Sequence, residues 1–411
     1  MSYTNTRIAC YIGYVTQAIV NNLSPLLFAT FGTQFGISLS AIAALIIVNF
    51  CIQIAVDLSS AFFIDRLGYR ASMVLAHSLS AAGLSLMSVL PFVLDAYAGL
   101  IVCTALSALG GGLLEVAVSP IVEALPTGKK SAAMAILHSF YCWGQAAVVL
   151  LATLFFTTVG IDSWRLLPPI LAFIPFANAF LFLRVPICTL EEANAAAHIE
   201  RPKLPFYRRP FFYACIVLML CAGAIELTVS QWSSYFAEIG LAVDKRTGDL
   251  LGPFCFALLM GFGRLLYGLF GTRLALEIWL ALSGALGIFS YLLIALAQNP
   301  VLSLVGCMLA GLAAALLWPG TYSLGSAHLP GAGTKMFALF ALAGDIGCSA
   351  GPSLAALVSD SVSQSGRIPA FLAGLSADAA GLRLGFLSAA VFPLILLVTA
   401  LVLCARRKKI A

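Results

Sequence analysis

The sequence predicts an all-α integral membrane protein, with twelve transmembrane helices in two six-helix pseudo-symmetric halves. Three observations carry this. The chain is 61% hydrophobic and only 9% charged, whereas ordinary globular proteins carry about 25% charged residues. Apolar runs near or above the roughly 20 residues that cross a bilayer recur twelve times, with connections too short for a separate soluble domain. The basic residues also segregate: with the N-terminus inside, 17 of the 22 Lys and Arg fall on the cytoplasmic side, which sets both termini in the cytoplasm. The net charge of +5 therefore reports topology in a plasma membrane (the inner membrane of a bacterium) and implies no nucleic acid partner.

The first six runs lie at about 7–32, 38–64, 71–91, 97–124, 131–158 and 164–184; six more lie at about 210–237, 247–270, 274–297, 300–327, 335–359 and 382–404. The cytoplasmic cations on this reading are Arg7, Arg66, Arg70, Lys129, Lys130, Arg184, Arg201, Lys203, Arg208, Arg209, Arg264, Arg273, Lys335, Arg406, Arg407, Lys408 and Lys409. Arg165, Lys245, Arg246, Arg367 and Arg383 fall outside. The expected division is an N-terminal bundle over 1–184, a cytoplasmic linker over 185–208 and a C-terminal bundle over 209–411. Three prolines and a cluster of charges break the apolar pattern in that linker, where Glu191, Glu192 and His198 are expected as solvated charges on a short surface helix. The eleven cysteines are scattered through the helices apart from Cys188 in the linker, with no CxxC pair, so they read as small packing residues. Neither a metal nor a cofactor is expected. The first run is too long for a cleavable signal and lacks a small-residue cleavage site, so it is expected to stay.

In the first segment Tyr14, Gln17, Asn21 and Ser24 recur at spacings of three and four, a polar stripe that Pro25 interrupts. Solute lining and polar contact between helices are both open for this stripe. The second segment carries Asn49, Gln53, Asp57 and Ser60 on one face. The third offers His77 and serines, and the sixth, ninth and twelfth are similarly poor in polar groups, so every third segment reads as a lipid-facing support. The fourth holds Glu115 among residues suited to lipid or tight packing. An ionisable group at that depth costs roughly 2.5–3.5 kcal/mol on insertion scales unless it faces a partner or water. Gly111, Glu115, Ser119 and Glu123 form one stripe there, and His138, Tyr141 and Gln145 form another on the fifth segment. The seventh supplies Glu226, then Ser230 and Ser233 with Gln231 and Trp232 beside them. The tenth presents Trp318, Tyr322 and Ser326 at i, i+4, i+8, suited either to stacking on a sugar ring or to helix packing. The eleventh has Asp345 within Gly344-Asp345-Ile346-Gly347-Cys348-Ser349-Ala350-Gly351-Pro352, and Asp360, Arg367, Asp378 and Arg383 are expected as solvated groups of a long outer loop.

A shift of 207 residues pairs Phe63 with Phe270, Arg66 with Arg273, Leu67 with Leu274, Leu75 with Leu282 and Leu79 with Leu286, and superposes the loop after the second segment on that after the eighth. Two repeated halves with the site at their interface is the expected transporter design.

The turn Asp65-Arg66-Leu67-Gly68-Tyr69-Arg70 resembles the loop signature of the major facilitator superfamily, roughly G-x-x-x-D-R-x-G-R-[RK], with Ala61 for the leading glycine and Tyr69 for an arginine. The resemblance implies that Asp65, Arg66, Gly68 and Arg70 form a gating loop. Within that superfamily the chain resembles the fucose–proton symporter branch. Leu114-Glu115-x-Ala117-x-x-Pro120 matches its fourth-helix motif, Asn21-Asn22-Leu23 matches in the first helix, and His138 and Tyr141 occupy positions where the branch contacts sugar hydroxyls with Gln and Asn. Ser119 stands where the branch has Asn, and Pro25 where it has an essential aspartate. The resemblance implies proton-coupled symport of a sugar or polyol by alternating access. Glu115 is then the proton carrier, with Glu226 and Asp345 as possible replacements for the missing first-helix acid.

The expected solute contacts are Gln17, Asn21, Asn22, Ser119, His138, Tyr141, Gln145, Gln231, Trp232, Trp318 and Tyr322. The partners are then a small solute, protons and the lipid bilayer, and the protein is expected as a monomer. The alternative is a proton-coupled drug or metabolite efflux antiporter, whose G-x-x-x-G-P motif belongs in the fifth helix; here Gly347-x-x-x-Gly351-Pro352 lies in the eleventh segment. An enzyme would need a nucleophile and base, a metal cluster or a sizeable extramembrane domain, and the sequence shows none of these.

Overall fold

A computed structural model describes residues 2–37, 39–196, 205–244, 247–248, 250–270 and 274–408, and these contain helices and connections but no strand. Each expected segment is helical. In the first half these are α1 (Tyr3–Leu26, continued by Phe28–Phe35), α2 (Leu39–Leu67), α3 (Tyr69–Met87), α4 (Ala96–Ala124), α5 (Lys130–Thr158) and α6 (Leu167–Arg184). In the second they are α7 (Pro210–Tyr235), α8 (Cys255–Phe270), α9 (Leu276–Leu296), α10 (Pro300–Ala314 and Leu317–His328), α11 (Gly333–Ser365) and α12 (Ala377–Ala389 and Val391–Lys408). Several breaks have a local cause. Pro25 cannot donate into the ladder, and α1 ends there with the Leu27 N–H folded back to Ser24 O at 3.0 Å. Gly68, at φ +83°, makes the turn into α3 that a side chain would strain.

Among the described residues nine helices are long and apolar enough to cross a membrane. Of the other three, α1 carries Tyr14, Gln17 and Asn21 and α3 carries His77 with serines, while α2 holds the apolar stretch Ile47–Ser60. Exposed apolar stripes mark the lipid side of the support helices: Ile170, Phe173, Phe176, Phe180 and Leu183 on α6, and Leu394, Ile395, Val398, Leu401 and Val402 on α12.

The chain forms two compact units, residues 1–203 with 330–342 and residues 204–329 with 343–411. Their internal plans repeat. Tyr3 and Pro210, the first residues of α1 and α7, are 207 apart, as are Tyr69 and Leu276, the first residues of α3 and α9. In the first unit α4 packs on α1, α2 and α3, while α6 packs on α1 and α3; in the second α10 packs on α7, α8 and α9, while α12 packs on α7 and α9. Between α6 and α7, Leu190–Ala196 forms the short helix expected in the linker. A reciprocal cap starts it: the Thr189 N–H donates to Glu192 Oε2 at 2.8 Å and the Glu192 N–H to Thr189 Oγ1 at 3.1 Å. His198 lies outside the described residues.

Two cations depart from the sequence reading. Arg264, counted there as cytoplasmic, is 2% exposed inside the second unit. Arg383, assigned there to a solvated loop, lies in α12 at 4% exposure and donates to Ala295 O at 3.2 Å and Ala297 O at 2.5 Å. Those carbonyls end α9, where the helix dipole favours a cation. Asp378 is exposed as expected and accepts from Ser363 Oγ. The support helices α3 and α6 are also less plain than expected. His77 Nδ1 sits 2.7 Å from Met73 O, so that nitrogen carries the proton, and Nε2 accepts from Asn178 Nδ2 at 2.7 Å. Asn178 donates its other N–H to Ala9 O at 3.0 Å, tying α1, α3 and α6 together.

Candidate functional site

In the first unit the two polar stripes predicted for α1 and α4 face each other across an antiparallel seam. At one level a Cβ added to Gly111 would lie 4.0 Å from Asn21 Oδ1, so helix backbone approaches that amide closely. At the next, Gln17 Nε2 donates to Glu115 Oε2 at 2.6 Å. At the third, the Tyr14 hydroxyl is 2.9 Å from Ser119 Oγ and 3.1 Å from His138 Nε2, with Ser119 Oγ 3.4 Å from the same nitrogen. Residue numbers rise along α1 as they fall along α4, which keeps a four-residue stripe on one helix in register with a three-to-four-residue stripe on the other. α5 delivers His138 to this seam because Gly144 lets it approach α1: a Cβ there would sit 2.9 Å from Ala18 Cβ. Gln53 of α2 closes the other side, its Nε2 3.4 Å from Asn21 Oδ1.

Gln17, Ser119, His138 and Gln145 are buried, while Glu115, Asn21, Asn22 and Tyr141 are half-buried. Asn22 turns back on its own helix, donating to Ala18 O at 2.9 Å. Gln17 Oε1 is buried and has no hydrogen-bond partner among the described residues. Toward the ends of the same three helices, Glu123 Oε1 meets Lys130 Nζ at 3.6 Å, and a cavity of about 140 Å³ opens among Tyr3, Thr4, Arg7, Val122, Leu125, Pro126, Thr127 and Ala133.

The second unit treats its acid differently. Glu226 Oε2 accepts from an Arg264 terminal nitrogen at 3.1 Å, and Arg264 Nε donates to Ala315 O at 2.9 Å. That carbonyl is available because Pro319, four residues on, has no N–H to return to it, and α10 is broken at Ala315 and Leu316. One guanidinium thus compensates a buried carboxylate and a buried carbonyl together. Trp318 lies against Gly344, where a Cβ would fall on the indole ring, and is 7% exposed, while Tyr322 is 1% exposed with its ring 6.4 Å away. Gly347 and Gly351 face the α7 backbone at Leu220 and Ala224, so the Gly347-x-x-x-Gly351 spacing serves a close crossing of α7 and α11. Asp345 is buried between Gly344 and Gly347. Trp232 is half-buried, its ring 5.9 Å from that of Tyr235, and Gln231 is exposed.

At the predicted gating loop the Asp65 side chain lies outside the described residues. Arg66 is exposed, and Arg70 donates to Phe182 O near the end of α6 at 2.7 Å. Tyr69 is buried, its hydroxyl 2.5 Å from Thr334 Oγ1 at the start of α11. Among the described residues no group of His, Cys, Asp and Glu is arranged to hold a metal. Sequence reasoning did not single out Tyr14, Gln53 or Arg264 as site residues. Tyr14 and Gln53 were visible as stripe members. For Arg264 the available signal was Pro319, which frees a carbonyl that needs a donor.

A helical bundle with lipid-facing support helices and a buried polar seam that includes an acid is the construction of a membrane transporter. The chain belongs to the major facilitator superfamily, whose sequence profile matches residues 10–352, and it is an integral plasma-membrane transporter, not an enzyme. Its fold is similar to that of the superfamily transporter FucP in its outward conformation (TM-score 0.75, 16% identity, covering 97% of this chain and 99% of that one). It is also similar to a single-residue variant of the E. coli fucose:proton symporter FucP (0.75, 17%, 97% and 98%). The proton:xylose symporter XylE bound to 6-bromo-6-deoxy-D-glucose is alike in fold as well (0.78, 13%, 97% and 94%). None of the curated proteins matches the chain by sequence.

Proposed function

We propose that this transporter moves a small polar solute, a sugar or polyol, by proton-coupled symport with alternating access, and that Glu115 carries the proton. The observation that carries the reading is the 2.6 Å contact of Gln17 with Glu115 in a seam that also holds Asn21, Ser119 and His138. An amide can serve either protonation state of a carboxyl, as donor to the ionised form and acceptor from the neutral form. The same seam offers the hydroxyl, amide and imidazole groups that bind solute hydroxyls; Asn21, Asn22, Ser119, His138, Tyr141 and Gln145 are the assigned contacts. The names of the fold relatives, two of them sugar–proton symporters, agree with this class of solute. Glu226, paired with Arg264, is assigned a structural role. Both termini are assigned to the cytoplasm, with six-helix halves over 1–184 and 209–411 joined by the linker. Nothing favours efflux: the glycines of α11 that evoke it are engaged in packing on α7.

The test is Glu115→Gln in proteoliposomes, assayed with a radiolabelled monosaccharide or polyol that raises the melting temperature of the purified protein. Accumulation driven by an imposed pH gradient is expected to vanish while exchange between preloaded vesicles and medium survives. Accumulation that persists in the variant overturns the assignment.

A further inference from the structure

Gln17 holds an arrangement that the ionised form of Glu115 leaves incomplete. Its Nε2 is committed to Glu115 at 2.6 Å, and its Oε1, on a side chain 4% exposed, has no donor among the described residues. A buried amide oxygen without a donor is unfavourable, and three completions exist in principle. A neighbouring side chain does not serve among the described residues. A solute hydroxyl can donate to Oε1 while Nε2 stays on Glu115. Alternatively, when Glu115 gains a proton its O–H can donate to Oε1 once the amide has turned by half a rotation, and Nε2 then faces the solute.

We propose that Gln17 couples proton and solute: its amide turns over with the protonation of Glu115, presenting an acceptor to the solute when Glu115 is ionised and a donor when Glu115 is neutral. The proposal rests on the symport reading above and narrows the solute. A hydroxyl, both donor and acceptor, fits both states of Gln17, whereas an ether or carbonyl oxygen fits only the protonated state. The proton enters as the O–H of Glu115, no covalent bond of Gln17 changes, and the same proton leaves when the amide turns back. Other titratable groups on the packed helices include Cys10, Tyr11 and Tyr14 on α1, Cys103 and Glu123 on α4, Lys130, His138, Tyr141 and Cys142 on α5, Asp57 on α2 near the Gln53 and Val56 contacts, and His77, whose ring faces Gly13. None of them is an amide, so a glutamine signal separates Gln17 from all of them.

The experiment is acid-minus-alkaline infrared difference spectroscopy on the full-length purified protein, with side-chain-labelled glutamine and no solute added. The expected spectrum pairs a protonated-carboxyl band with a shift of a glutamine side-chain amide band. Glu115→Gln removes both. Gln17→Met removes the amide shift and leaves the carboxyl band, moved toward the position of a carboxyl that has lost one hydrogen bond. Should Glu115→Gln fold poorly, Glu115→Asp draws the acid back by one methylene: the carboxyl band remains and the amide shift is lost. A Glu115 carboxyl band with no paired amide shift, or an amide shift that survives Glu115→Gln, overturns the switch while leaving Glu115 as proton carrier. Absence of any titrating Glu115 band overturns both readings. Paired bands in a protein that fails to accumulate solute on a pH gradient sustain the switch and reject the symport reading.

Discussion

Two membrane-embedded glutamates of the same chain meet unlike partners. Glu115, half-buried between α1 and α4, meets the neutral amide of Gln17, while Glu226, 7% exposed in α7, meets the guanidinium of Arg264. An amide tolerates either charge state of a carboxyl; a guanidinium supports only the ionised one, and losing that charge strands a buried cation. The first arrangement suits a group that changes state during a cycle, and the second suits one that must not. The Arg264 contact to Ala315 O adds a reason for permanence, because the broken α10 depends on it.

The largest effect expected from this contrast is on stability. Arg264→Ala leaves Glu226 and Ala315 O buried without their donor and is predicted to cost about 3–5 kcal/mol, read as a fall in melting temperature of the purified protein. Arg264→Lys should recover little, since one ammonium cannot reproduce the fork. A smaller loss would show that water reaches Glu226 and would weaken the contrast. Next is the crossing of α7 and α11. Gly347→Ala places a methyl against Leu220 O and is predicted to cost about 1–3 kcal/mol through overpacking, again by thermal melting. An unchanged melt would mean the helices separate readily there. Tyr14→Phe removes only the hydroxyl shared with Ser119 and His138, an expected loss of about 1 kcal/mol in stability. Solute affinity should fall alongside it, and an effect on stability alone would place Tyr14 outside the solute site.

The smallest effect is a labelling rate. Burial and the neighbouring Glu192 carboxylate push the Cys188 thiol up, with Lys130 opposing. An impermeant maleimide should therefore react slowly at neutral pH and faster as pH rises, because the thiolate is the nucleophile. It should do so only from the cytoplasmic side, and labelling of intact cells from outside would reverse the assigned topology.

Most of the fold was legible because membrane helices announce themselves by length and apolarity. The repeat was legible as well, with α1 and α7 and also α3 and α9 starting 207 residues apart. The candidate site was half legible. Helical periodicity exposed the stripes on α1, α4 and α5, but one-dimensional spacing does not say which stripe faces which, so the pairs Gln17 with Glu115 and Tyr14 with Ser119 awaited the tertiary structure. Arg264 was misread for a physical reason. A topology count assigns every cation near a helix end to water, yet this one has its carboxylate partner 38 residues earlier and a carbonyl freed by Pro319. Arg383 was misread similarly, since its partners are backbone oxygens at the end of α9, which no sequence motif marks.

The most direct measurement of the contrast is proton-driven accumulation in proteoliposomes for two neutralised proteins side by side. One carries Glu115→Gln, and the other carries Glu226→Gln with Arg264→Gln, so that no buried charge is left alone. The account predicts that the first exchanges solute without accumulating it, while the second, where folded, still accumulates it on a pH gradient. Accumulation retained by Glu115→Gln and lost in the double variant would contradict it and move the proton to Glu226.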